Sequence, residues 1–277
     1  MGICRCSKTI ISLETFNILG VIGALVIGVV LGITGGGGSI LTVPILVYLL
    51  GVMPITATAY SLFIVGATAL FGTFRNMMKR MIDFRVAFVF SIPAFIAVYL
   101  TRKLIIPSIP TIIFRVQDFV LTKDLAIMIF FAFIMFFAGI SMLRTSKNIA
   151  VKLVSEFNYF IIIIEGFVVG ILTGLVGAGG GFLIIPALVL FANLPMKRAV
   201  ATSLMIISIK SLIGFLGDIG NIEIDWEFLL IFSILSIIGI IIGIYLSNFI
   251  DGKKIKKAFG WFVLVMSIYI IFKEILF

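Results

Sequence analysis

Apolar residues run along this chain in long blocks, not at the 3.6- or 2-residue periods of half-buried helices and strands. Blocks of spanning length cover 16–34, 56–74, 86–101, 124–143, 158–176, 199–216, 228–247 and 258–276. Most hold 16–20 residues, close to the ~20 a helix needs to cross a bilayer. Two shorter blocks, 38–50 and 182–193, each follow a glycine cluster. One cluster is Gly35-Gly36-Gly37-Gly38, the other Gly177-Ala178-Gly179-Gly180-Gly181. The pattern predicts an all-α membrane protein with irregular backbone at two points inside its apolar part.

The two clusters expose an internal repeat. Shifted by 142 residues, 28–76 aligns with 170–218 without a gap, with 16 identities in 49 positions. Gly28/Gly170, Gly32/Gly174, Gly35/Gly177, Gly37/Gly179, Gly38/Gly180, Pro44/Pro186, Ser61/Ser203 and Gly72/Gly214 are among them. Apolar composition alone matches leucines and valines by chance; it does not align several glycines around one break and a proline beyond it. So long a period excludes a solenoid and suits a transporter made of two halves. The expected organisation is a tail at 1–15, a first repeat at 16–143, a linker at 144–157 and a second repeat at 158–277.

Charge placement sets the expected handedness of the repeat. If each glycine cluster turns the chain back as a hairpin, each half makes about five passes and the second half starts on the opposite side. Thirteen basic residues, among them Arg75, Lys79, Arg80, Lys197 and Arg198, then share one face, and seven, including Arg102, Lys103 and Lys123, share the other. A straight passage through each cluster splits them evenly, so the hairpin arrangement satisfies the positive-inside rule. The loop at 75–85 is basic, and its repeat partner at 217–227 carries Asp218, Glu223, Asp225 and Glu227 without a base. Two inverted repeats, with both termini outside, are the expectation.

Composition agrees: 62% of the 277 residues are hydrophobic and 12% charged, about half the charge of a soluble domain. The net charge of +9 lies in loop clusters between apolar runs, which argues against nucleic acid as a partner. Cys4 and Cys6 sit in the tail and imply no disulfide framework; lipidation of that tail is left open. The chain has no histidine, hence neither the commonest metal ligand nor the commonest general base. No cofactor is expected beyond a coupling proton or cation, and oligomeric state is not legible.

Irregular backbone at membrane depth is tolerated where it lines a cavity or is buried in protein. A new helix should start after each cluster, its first amides unpaired and at the positive dipole end, suited to an anion. The plainer reading is that the glycines serve tight turns and close helix packing; two equivalent clusters favour the ligand-facing role. Lys210 stands mid-run in 199–216, where a charge is costly and usually functional. Its repeat partner is Thr68, and Ser61, Thr68 and Ser203, Lys210 fall on equivalent helix faces. Pairing of Lys210 with Asp218 or Glu165 is the structural alternative. Glu165 reads as an interface residue or a proton carrier, and Asp218 and Asn76 as solvated helix ends, with capping or gating as the alternative.

The segments GVVLGITGGGGSILTVPILVYLLGVMPITATAYS at 28–61 and GILTGLVGAGGGFLIIPALVLFANLPMKRAVATS at 170–203 resemble the TauE/SafE family of sulfite exporter-like membrane proteins. The likeness covers both halves. It implies a multi-pass cell-membrane transporter of a sulfur-containing or organic anion, such as sulfite or a sulfonate, driven by an ion gradient. It also implies substrate contacts at Gly35, Gly36, Gly37, Gly38 and Ser39, and at Gly177, Ala178, Gly179, Gly180, Gly181 and Phe182, with Thr58, Ser61, Thr202 and Ser203. Thr68 and Lys210 join them on the helix-face argument above. Two other classes stay open: a membrane scaffold or receptor, and an intramembrane enzyme. For the latter Ser203 and Lys210, about 10.5 Å apart along a helix, form a poor dyad.

Overall fold

The computed structural model describes residues 18–36, 38–116, 119–143, 159–190, 192, 194–247, 249 and 252–276. The first half contains α1 (Ile18–Thr34), α2 (Ser39–Pro44), α3 (Pro54–Met78), α4 (Phe84–Leu100), the one-turn α5 (Ile106–Ser108) and α6 (Lys123–Leu143). The second contains α7 (Tyr159–Val176), α8 (Gly181–Leu190), α9 (Met196–Leu216), α10 (Trp226–Leu246) and α11 (Gly252–Leu276). Wider π turns prolong α2 over Ile45–Leu49 and α4 over Thr101–Ile105. Five helices among the described residues are long and apolar enough to cross a membrane: Pro54–Met78, Phe84–Ser108, Lys123–Ser141, Lys197–Leu216 and Trp226–Leu246. Ile18–Thr34, Ser39–Leu49 and Ile162–Val176 are shorter apolar helices.

Local chemistry explains where the helices begin. Pro54 opens α3 at a position whose N–H has no helical partner anyway. The Ile55 N–H donates to Asp124 Oδ1 at 3.2 Å, so the carboxylate also meets the positive end of the dipole. Asp83 caps α4, accepting from the Val86 N–H at 3.1 Å, and Asp225 caps α10, accepting from Phe228 at 3.0 Å.

One correction to the all-α expectation stands between α5 and α6. There Ile112–Val116 (β1) and Phe119–Thr122 (β2) form an antiparallel ribbon, with Ile112 opposite Thr122 and Val116 opposite Phe119. The helix ends at Ser108, two residues before Pro110, and the β-branched and aromatic residues beyond favour extended chain.

The helices are interleaved. α1 packs on α10 and α4 on α7, while α3 lies against α9 and α6 against α11. Small residues make the tightest contacts. A methyl on Gly28 would come 2.8 Å from the Ile240 nitrogen, and one on Gly32 2.6 Å from the Ile240 carbonyl. A methyl on Gly170 would come 2.5 Å from the Ala94 carbonyl, and one on Gly174 2.8 Å from Thr101. For these four glycines the plain packing role is the observed one, as is usual between membrane helices. Large apolar side chains such as Ile18, Phe137, Phe160 and Phe272 are exposed on the outer faces, where lipid rather than water suits them.

Candidate functional site

α1 and α7 end in the same way. Gly35 and Gly177 adopt φ of +73° and +74°, and each N–H donates at 2.8 Å to the carbonyl four residues back, Leu31 and Thr173. This left-handed backbone is open to glycine and strained for other residues. Space closes around both. A methyl on Gly35 would lie 2.9 Å from Val200 Cβ, and one on Gly177 2.5 Å from Thr58 Cα. Val200 and Thr58 are themselves repeat partners, so the two breaks are held reciprocally by α9 and α3.

The breaks also meet each other. A Cβ on Gly36 would come 2.7 Å from the Gly181 Cα, and one on Gly179 3.0 Å from Ser39 Cβ and 2.7 Å from Val65. Gly38, at the start of α2, backs onto Leu31 and Ile27 of α1. Ala178 is buried between them. The Phe182 backbone belongs to α8; its side chain and the whole of Gly37 lie outside the described residues.

The amides at these helix starts are less free than the sequence suggests. The Ser39 N–H donates to the Gly36 carbonyl at 3.3 Å, and Ser39 Oγ donates to the same oxygen at 2.7 Å. Leu41 N–H uses Gly38, while Leu183 and Ile184 use Gly180. Short local turns therefore consume donors that the sequence pattern assigns to a solute.

Side chains supply the charge instead. Lys210 is 0% exposed, and its Nζ donates to Thr173 Oγ1 at 3.1 Å. The ammonium is packed against the second break: a Cβ on Gly180 would come 2.8 Å from it. Neither Asp218 nor Glu165 pairs with it; Asp218 pairs with Arg102 instead. The carboxylate partner considered for Lys210 is thus replaced by a hydroxyl.

The hydroxyls divide into two groups. Thr58 Oγ1 donates to the Ile55 carbonyl and accepts from Arg102 Nη1 at 3.1 Å. Ser203 Oγ reaches the Gly35 carbonyl at 2.7 Å and also Val200 O at 2.8 Å. Ser61 is buried with no partner for its Oγ. Thr68, by contrast, bonds back to Ile64 O at 2.6 Å within its own helix, and Thr202 accepts the Asp83 N–H at 3.0 Å, pinning the α3–α4 turn.

One residue escapes the sequence reading. Arg102 reads in sequence as a loop charge, but it is 0% exposed, turned inward by the π turn at the end of α4. Such widened turns recur at functional positions. Its Nη1 lies 3.4 Å from Asp218 Oδ2, and its Nε and Nη2 have no partner. Asp218, expected at a solvated helix end, is 2% exposed. Burial pushes its carboxyl above the ordinary carboxylate range, against the opposing pull of Arg102. Position in the sequence separates nothing here, for neighbouring Lys103 is exposed and simply meets Tyr99 Oη at 3.0 Å.

The sulfite exporter TauE/SafE model matches residues 20–270. This chain belongs to the TauE/SafE family. It is therefore a multi-pass integral membrane protein of a transporter family. Among its relatives, a probable membrane transporter protein of Xylella fastidiosa is 28% identical over 255 residues, 90% of this chain and 92% of its own length. One from Bacillus subtilis is 29% identical over 244 residues, covering 78% of this chain and 82% of the relative. Another, from Methanocaldococcus jannaschii, reaches 37% over 127 residues, 43% of this chain and 48% of the relative. No solved structure matches the chain.

Proposed function

We propose that this TauE/SafE protein is a secondary transporter of a small oxyanion, of the sulfite or sulfonate type, and that it works by alternating access. The observation that carries the reading is Lys210, fully buried in α9, with no carboxylate among the described residues paired with it and its ammonium against a glycine break. An uncompensated cation in a low-dielectric interior is expensive. A transient anion at that point offsets the cost each time it binds.

We further propose that the halves are inverted repeats that each open with a glycine-broken hairpin. The reciprocal packing of α1 on α10 and α4 on α7 supports this, as do the matching contacts of Gly35 with Val200 and Gly177 with Thr58. So does the seating of Gly38 on α1. The described residues of both breaks are buried against one another, as an occluded conformer requires. Passage then needs one half to rock on the other so that the breaks part toward one side and then the other. The solute-facing set is Gly36, Ser39, Ser61, Gly179, Gly180, Ser203 and Lys210.

Reconstitution tests the reading. Proteoliposomes bearing the wild-type chain should take up sulfite down an imposed gradient, saturably. Lys210→Met should lower that flux at least tenfold while the protein still elutes as a single folded species, since about 1.4 kcal/mol of lost solute interaction already gives a factor of ten. Equal flux through both proteins would remove the site from the mechanism.

A further inference from the structure

Arg102 and Lys210 bracket one glycine break. Thr58, which accepts from Arg102 Nη1, packs on Gly177, and Lys210 Nζ packs on Gly180 three residues later. Asp218 is the one buried carboxylate among the described residues. Of the buried cations Arg102, Lys123 and Lys210, Arg102 is the one paired with that acid.

The pairing of Arg102 with that acid is incomplete. A guanidinium has five N–H donors in a planar fork that fits an oxyanion two-pronged, typically at 2.7–2.9 Å. Here a single nitrogen stands 3.4 Å from Asp218 Oδ2, that oxygen has no hydrogen bond, and Nε and Nη2 have no partner. Buried polar atoms left unsatisfied in this way call for an explanation. A lock kept only for stability would use the fork.

The cluster also joins the halves. Thr58 and Arg102 come from the first, on α3 and the end of α4, and Asp218 follows α9 in the second. At the same 142-residue shift their repeat partners are Val200, Ile244 and Asn76, which carry no charge. The feature belongs to one end of the molecule. Asp218 sits in a turn whose next residues, Ile219, Gly220 and Asn221, are exposed.

We propose that Arg102 is a second anion-binding point on the solute path, and that Asp218 is an internal stand-in carboxylate that the arriving oxyanion displaces. The ligand class is a small anion with at least two terminal oxygens, which takes the fork that the aspartate fills only in part. The proposal rests on the transporter reading above.

Calorimetric titration of the full-length protein in detergent, at fixed ionic strength, with sodium sulfite and sodium methanesulfonate tests it. Asp218→Asn removes the competitor, and both anions should bind about tenfold more tightly, because an occupied arginine lowers apparent affinity by the fraction left competent. Arg102→Lys keeps the charge but loses the fork, and should weaken binding about tenfold. A purely structural ion pair predicts the opposite: Asp218→Asn leaves affinity equal or lower, and Arg102→Lys leaves it unchanged. Either result overturns the proposal, and should Asp218→Asn fail to fold, Arg102→Lys decides alone. Wild-type binding that Lys210→Met abolishes and Arg102→Lys does not touch overturns this inference and spares the transporter reading. No saturable binding by wild type overturns both.

Discussion

Gly177 is caught between two constraints, a left-handed backbone and the Thr58 main chain directly behind its Cα. A methyl there meets both. Gly177→Ala should destabilise the protein by about 2–4 kcal/mol, the sum of left-handed strain and overpacking. Thermal unfolding in detergent, followed by the fluorescence of Trp226 and Trp261, should show a clear drop in midpoint, and an unchanged midpoint would contradict the geometry. At this scale the sequence is informative in proportion to contrast. Lys210 stands out because no other charge falls between Arg198 and Asp218. Arg102 does not, because it sits at the edge of an apolar block beside a second base, and only the π turn decides which of the two points inward. Ion-pair partners are illegible for the same reason: Asp218 is closer in sequence to Lys210 than to Arg102, yet pairs with the latter.

The two aspartates that open α4 and α10 are each tied twice. Asp83 accepts from Val86 N–H and gives its own N–H to Thr202; Asp225 accepts from Phe228 N–H and gives its own to Tyr60 Oη at 2.7 Å. Asp83→Ala should cost about 1 kcal/mol, the usual worth of an N-cap, and Asp83→Asn only part of that. Comparing unfolding midpoints of the two variants checks the ranking; equal losses would assign the effect to something other than the cap. Helix positions are readable from block lengths alone, since lipid asks a helix for continuous apolarity rather than periodicity. The predicted block at 56–74 lies inside α3, and 228–247 matches α10 to within a residue or two. The β ribbon is not readable, because its two short strands fall in the interval between two spanning blocks and show no alternation of their own. Nor are the π turns, which depend on how Pro44 and the α4 end meet their neighbours.

For the whole molecule, the inverted-repeat proposal has a direct reading in accessibility. After replacement of Cys4 and Cys6, a single cysteine at Lys79, in the basic α3–α4 turn, should react with a membrane-impermeant maleimide only from the cytoplasmic side. A single cysteine at Asn221, in the corresponding α9–α10 turn, should react only from outside. Both positions are exposed, so each will label. Reaction of both from the same side would make the repeat parallel and remove the mechanism built on opposed halves. Family membership is legible because glycines and a proline recur around each break. The closeness of the breaks, where Gly36 touches Gly181, is not, because no pattern along one chain reports contact across an interface.

The exchange of helices, with α1 seated on α10 and α4 on α7, bears on how the chain is made. The ribosome releases α1 and α4 long before their partners exist. Their narrow glycine- and alanine-lined grooves must wait in the bilayer, covered by lipid or by an insertion factor, α4 until α7 arrives and α1 until α10 does. Assembly thus finishes late, and a chain that stops before α10 leaves the groove of α1 without the helix that fills it.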